Sequence, residues 1–463
     1  MKNSVKKILA LTLAAASLLS VASCGKKKDP ANGEVKTATM WISAGGDKAF
    51  WEEQIERFNT TVGKEIGVQV DAELKIDAAY TQHLEFAIET NQLPDLFTNG
   101  SVEKLVELDR VVALEDVGLS KFIEPYRDNL RERHHMLDGK TYMIPTGVAL
   151  RGLIYNKDMF KAAGIVDENG EAKPPKTFAE VREYAKKLTD KSKNQFGIAL
   201  PIKWVSWVES DIDNLLQSSY GHGAYDPVTK QYDYTIMKPI LEAYIGMRED
   251  GSIYPSPESL DNDPARARFA EGFIGMKMAY SFDVGDLNDQ FPAKCDWGVA
   301  PLPVVNENEA YRQYSQAGSS AYISKNGVEK LGKDVVKAIF EFFYGDDVLR
   351  ERYERGISIP MKASIMKDAV LDADVNKGWE DFCALSSISL AAPLSMPVDI
   401  EGKMTVREGI VNKIWANPSS IDAVLEELTK DANEGIIKYQ EKYPERDYSI
   451  YEDKNWNKKV KLD

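Results

Sequence analysis

Trp204 and Trp207 stand three residues apart in Trp204-Val205-Ser206-Trp207, within a polar stretch. Two large rings in a polar loop are costly to expose without purpose, and their faces suit stacking. Arg151 precedes an apolar run; its planar guanidinium suits bidentate pairing with a carboxylate, or a salt bridge. Other candidate chemistry falls short of a motif. Gly327-Val328-Glu329-Lys330-Leu331-Gly332-Lys333-Asp334 is near a phosphate-cradling loop, but Asp334 stands where Ser or Thr should hold magnesium. Asp167-Glu168-Asn169-Gly170 lacks the ligand spacing of a calcium loop and reads as a surface turn. His134-His135 has no metal-spaced partner and reads as a solvated face of a charged helical stretch. The chain contains no Gly-x-Ser-x-Gly, His-Glu-x-x-His or Cys-x-x-Cys. No carboxylate pair stands out from an acidic background, which weakens an enzymatic reading.

Composition narrows the class further. The 463 residues carry 58 Lys+Arg against 73 Asp+Glu, a net charge of −15, so the basic footprint of nucleic-acid binding is missing. Hydrophobic residues make up 43%, which excludes a disordered or low-complexity chain. The length exceeds one compact core and predicts two domains or lobes. Four histidines and three cysteines supply little for a metal site or a disulfide scaffold, and no cofactor is implied. Cys295 and Cys383 either pair or remain buried free thiols.

The N-terminus reads as an address. Lys2, Lys6 and Lys7 precede an apolar run over 8–21, the layout of a secretory signal and too short for a comfortable membrane span. Val21-Ala22-Ser23-Cys24 resembles the lipobox of bacterial lipoproteins, which implies a signal peptide over 1–23 and a lipid on Cys24. Residues 24–34 read as a polar tether.

Elements that would position a site follow. The pattern predicts strands over 35–42, 68–76, 94–97, 152–156, 196–200, 276–280 and 297–300. Helices are predicted over 47–59, 80–91, 102–108, 209–219 and 236–249. Thr177-Phe178-Ala179-Glu180 has capping-box spacing and opens a helix to 188. Helices dominate from 331: 331–344, 347–355, 406–415 and 420–439. This order predicts α/β lobes with mainly parallel sheets, and no linker divides them.

Leu153-Ile154-Tyr155-Asn156-Lys157-Asp158-Met159-Phe160-Lys161-Ala162-Ala163-Gly164-Ile165 resembles a segment of the extracellular solute-binding proteins (family 1, maltose-binding-protein-like) that serve ABC sugar importers. Trp41-Ile42 with Gly46-Asp47-Lys48, Pro94-Asp95-Leu96, Ile144-Pro145, Pro175-Lys176-Thr177-Phe178, Phe269-Ala270-Glu271-Gly272 through Met278, and Gly298 to Pro303 fall in the same family's order. The resemblance implies a two-lobed periplasmic-binding-protein-like fold (type II), with a hinge and a ligand cleft between lobes. The implied division is 35–149 plus 302–344 for lobe one, 150–301 plus 345–440 for lobe two, and a tail over 441–463. It also implies a non-enzymatic, monomeric receptor for a carbohydrate, an oligosaccharide, held by lipid at the extracellular face of the membrane and working with ABC permease subunits.

Sugars offer C–H faces to aromatic rings and hydroxyls to planar polar groups, and open α/β folds bind ligands at carboxyl ends of strands. Candidates after predicted strands are therefore Trp41, Asp47, Lys48, Asn99, Gly100, Trp204, Trp207, Phe282 and Asp283. Gln316 and Ser319 precede a strand in a small-residue stretch that lets backbone approach a ligand. Trp41 is equally a core residue, Asp95 a structural hydrogen-bonding residue, and Trp379 a packing residue under the last helices. Arg151, at the expected first crossover, pairs either a ligand carboxylate or a hinge partner. A surface glycan-acting enzyme and a binding protein for a non-sugar solute remain as alternative readings.

The lipobox resemblance generates a prediction. Cys24→Ala should release the protein into the medium or leave an uncleaved precursor, read by fractionation and N-terminal mass. Unchanged processing and membrane retention would remove the anchor.

Overall fold

The computed structural model describes residues 35–44, 47–75, 78–371 and 376–462. The expected signal segment, Cys24, the tether and Gly46 lie outside the described residues. Three four-stranded sheets organise the chain. Their strands are β1 (Lys36–Ser43), β2 (Val68–Lys75), β3 (Leu96–Phe97), β4 (Pro145–Ala149), β5 (Arg151–Asn156), β6 (Phe196–Ile198), β7 (Ile274–Tyr280), β8 (Trp297–Ala300), β9 (Gln313–Ser319), β10 (Tyr322–Ile323), β11 (Ile359–Pro360) and β12 (Ser389–Ala391).

The first sheet runs β10-β3-β1-β2, with β1 and β3 parallel. It packs on α1 (Lys48–Thr60) and α2 (Lys333–Phe343), whose Phe58, Phe340 and Phe343 are fully buried. Asp95 is buried beside this sheet. It accepts from the Thr39 backbone N–H at 2.7 Å and from Lys330 at 2.8 Å, so it is structural.

The second sheet runs β8-β5-β7-β6 and is not mainly parallel: β5 pairs antiparallel with both β7 and β8. The chain enters β5 directly from another sheet rather than through a crossover helix, so nothing imposes parallel pairing. Its core includes the helix Phe178–Leu188, which opens with the predicted capping box: Glu180 N donates to Thr177 Oγ1 and Thr177 N to Glu180 Oε2, each 3.2 Å. Trp379 packs in the same half with Trp297 and meets Tyr353 at 6.0 Å between ring centres.

The middle sheet runs β11-β4-β9-β12. Only Leu150 separates β4 here from β5 of the second sheet. Leu150 donates to Ser281 Oγ at 3.2 Å and accepts from Ser281 N at 2.8 Å. At the other end of β4, Ile144 donates to Ser320 Oγ at 3.0 Å and accepts from Ser320 N at 2.9 Å. Leu302 packs in the cluster that holds Tyr155 and Leu200, and Val348 in the one that holds Phe340 and Phe343. Cys383 is a free thiol, and Cys295 Sγ donates to the Phe269 carbonyl at 3.6 Å.

Candidate functional site

A cavity of about 1110 Å³ opens where the three sheets meet. Its wall takes Asn99 and Gly100 from the loop after β3, and Arg151 from the start of β5. Tyr280 comes from the end of β7 and Ser315 to Ser319 from β9. Asp128, Asn129, Arg131 to His135, Leu390 to Leu394, and Tyr451 and Trp456 near the C-terminus also line it. Gly100 has φ +109, a conformation that favours glycine, and its carbonyl accepts from Tyr322 Oη at 3.2 Å. Gln316, Ala317, Gly318 and Ser319 are exposed although their strand is paired on β4, so this edge of the middle sheet faces open space.

Tyr280 and Arg151 are register partners across β7 and β5. That pairing sets the Arg151 guanidinium 3.9 Å over the Tyr280 ring. Phe282 stacks on the same ring at 4.7 Å and 13°. Trp204 meets Tyr280 edge-on at 6.0 Å. Arg151 is 3% exposed, and its Nη1 lies 2.6 Å from Asp211 Oδ1. This contact lacks hydrogen-bond geometry, and Nε, Nη1 and Nη2 are all without a hydrogen bond. Burial disfavours both charges, pulling Arg151 down and Asp211 up, while each resists through the other. Asp213, also on the wall, is raised by burial, and its Oδ1 accepts from Ala224 N at 2.8 Å.

The structure thus brings Asn99, Gly100, Arg151, Gln316 and Ser319 to one cavity, and it places the other candidates elsewhere. Trp41 packs in the core of the first half, its Nε1 donating to Glu73 at 3.2 Å. Asp47 accepts from Trp51 Nε1 at 2.9 Å and pairs with Arg352 at 3.1 Å, so it fastens a helix start. Lys48 is exposed and pairs with Glu52 at 3.6 Å. Trp207 is 2% exposed against Tyr244, because 207–212 is a π-helical turn that carries the ring inward rather than a polar loop. Asp283 is fully buried between Arg266 and Lys277, a charge network inside the protein. Trp204 and Phe282 pack against Tyr280 and do not line the cavity.

Sequence reasoning missed several wall residues. Tyr280 ends a predicted strand, so the strand-end rule reaches it. His134 and His135 do not lie on a helix: His135 is buried, its Nδ1 accepts from Arg131 N at 3.2 Å, and burial pushes it down to about 4, with His134 and Arg131 adding to the effect. Tyr451 and Trp456 come from the tail, where no pattern announces them. Trp456 donates to Gly221 O at 2.7 Å, and Tyr451 Oη accepts from Arg133 at 2.7 Å. Among the described residues, no group of three or more His, Cys, Asp or Glu is placed to hold a metal.

A family model described as bacterial extracellular solute-binding protein matches residues 43–349. The chain belongs to that family. A binding protein of Brucella abortus (strain 2308) is 26% identical over 295 residues, 62% of each chain. The maltotriose-binding protein of Pyrococcus abyssi is 26% identical over 232 residues, 49% of this chain and 46% of that one. This solute-binding protein therefore spans less than two thirds of these curated relatives in alignment. Two solved structures share its fold. The maltose/maltodextrin-binding domain of Bdellovibrio bacteriovorus, bound to maltotriose, has TM-score 0.66 at 17% identity over 87% of this chain and 100% of that one. An ABC transporter solute-binding protein of Thermotoga lettingae, bound to α-D-tagatose, has TM-score 0.67 at 18% identity over 87% and 100%. The likeness establishes the two-lobed α/β architecture.

The burial of Trp207 generates a prediction of its own. Trp207→Ala should lower unfolding free energy by about 3–5 kcal/mol, the cost of emptying a buried tryptophan site. Urea denaturation reads this directly. Wild-type stability with weakened ligand binding would instead place Trp207 at the ligand.

Proposed function

We propose that this solute-binding protein captures a carbohydrate, an oligosaccharide, in the cavity and delivers it to an ABC importer without altering it. The cavity carries the reading. Its volume, about 1110 Å³, exceeds the roughly 300–1,000 Å³ of ordinary small-molecule pockets and suits a chain of sugars. Asn99 and Tyr280 stand at or just beyond the carboxyl ends of β3 and β7, where open α/β sheets place ligands. Asn99, Arg151, Gln316 and Ser319 supply planar or hydroxyl partners for sugar hydroxyls. The maltotriose-binding relative and the maltotriose-bound neighbour support the ligand class.

In this reading lobe one, 35–149 plus 302–344, and lobe two, 150–301 plus 345–440, close on the ligand about the middle sheet. A ligand touching both halves binds the closed form better and shifts the population towards it. The protein acts as a monomer at the outer face of the membrane, held by lipid on Cys24, and the permease distinguishes closed from open forms.

A thermal-shift screen against a glycan panel tests the proposal. A true ligand at 100 times its dissociation constant should add about 2.7 kcal/mol of stability, and mass spectrometry should recover it unchanged. A panel without any shift removes the carbohydrate reading, and a cleaved ligand makes the protein an enzyme.

A further inference from the structure

We propose that the carbohydrate taken by this cavity is acidic, its anionic group received by the guanidinium groups of Arg151 and Arg131. The inference rests on the carbohydrate reading above and deepens it.

Arg151 carries the argument. It is 3% exposed and lines the cavity, yet none of its three nitrogens makes a hydrogen bond. Buried polar groups are almost always satisfied, and leaving a charged donor unmet is costly. Asp211 stands 2.6 Å away and offsets the charge, but out of line with the N–H directions. The guanidinium fork therefore still has its donors to give. A carboxylate or phosphate matches that fork with two parallel bonds.

Arg131 supplies a second cation on the same wall. Its Nη1 donates to the Ala392 carbonyl, and among the described residues no carboxylate lies within ion-pairing distance of it. Burial pulls it down, so its charge is held in the wall without a compensating partner.

Four of the five acidic wall residues are already engaged, and the fifth, Asp128, is exposed. Asp453 pairs with Lys459 at 2.5 Å, and Glu452 with Lys230 at 3.4 Å. Asp213 accepts from Ala224 N, and Glu132 from Asp138 N at 2.6 Å. Arg133 is likewise spent, on Tyr451 and on Glu103 at 3.4 Å. Among the wall cations Arg151 and Arg131 are left to meet an anion arriving with the sugar. A neutral sugar offers hydroxyl acceptors to Arg151 but leaves the Arg131 charge uncompensated.

Paired binding isotherms test this. The probes are trigalacturonate, its carboxyl-reduced neutral counterpart, maltotriose and a sugar phosphate, each at low and high salt. Trigalacturonate should bind at least about tenfold more tightly than its reduced counterpart, the worth of one charge-assisted bond. That preference should shrink in high salt and in Arg151→Gln or Arg131→Gln. Binding of the sugar phosphate alone would keep the anionic class and make phosphate its source. Equal binding of the acidic and neutral trimers, or tight binding of maltotriose only, overturns the proposal and leaves carbohydrate capture standing. A preference for the acidic probe untouched by both substitutions overturns the assignment to these arginines. Failure of every probe removes carbohydrate capture and this proposal together. If Arg151→Gln does not fold, Arg131→Gln and the wild-type ratio of acidic to neutral binding still decide.

Discussion

The passage through Leu150 is the constraint on which the site depends. One residue joins β4 of the middle sheet to β5 of the second, and Ser281 bonds it in both directions. With so short a join, the register of one sheet fixes the position of the other. β9 lies antiparallel to β4, with Gln316 opposite Ala149, which sets the exposed edge of Gln316 to Ser319. β7 lies antiparallel to β5, with Tyr280 opposite Arg151, which sets the cation over the ring. The cavity wall is thus a consequence of two strand registers that share one connection. Gln313, at the start of β9, donates its side-chain amide to the Arg151 carbonyl and ties the registers together.

Charge burial distinguishes the residues that can meet a ligand from those that cannot. Asp283 is enclosed by Arg266 and Lys277, and Asp286 joins them at 3.1 Å from Arg266. Burial raises Asp286 to about 6 against the opposing pull of Arg266, with Asp283 adding to the rise. These groups compensate one another and support the end of β7 from behind. Arg151, only one strand away, differs in lining the cavity with its three nitrogens outside any hydrogen bond. Removing one member of the enclosed network would strand a buried charge, whereas a ligand group can complete the pairing of Arg151.

Much of the fold was legible because it rests on local patterns. Thr177 and Glu180 announced a helix start by their spacing, and the apolar run of 152–156 read as a strand, which lies within β5. The expected crossover at Ala149 to Arg151 coincides with the join between two sheets. The site was harder to read because burial is decided by tertiary packing. Trp204-Val205-Ser206-Trp207 looks like a loop, but one ring enters the core through a π-helical turn and the other meets Tyr280 edge-on. Trp41 and Asp47 follow a strand as binding residues do, yet one fills a core and the other holds Arg352. Tyr451 and Trp456 reach the wall from the far end of the chain, a sequence separation that no local pattern spans.

The central claim is that two halves joined through a narrow sheet close around a ligand. Small-angle scattering on the protein with and without saturating carbohydrate tests it most directly. Closure predicts a smaller radius of gyration and a shorter maximum dimension in the bound form. An unchanged radius, with binding confirmed in the same sample, would contradict it.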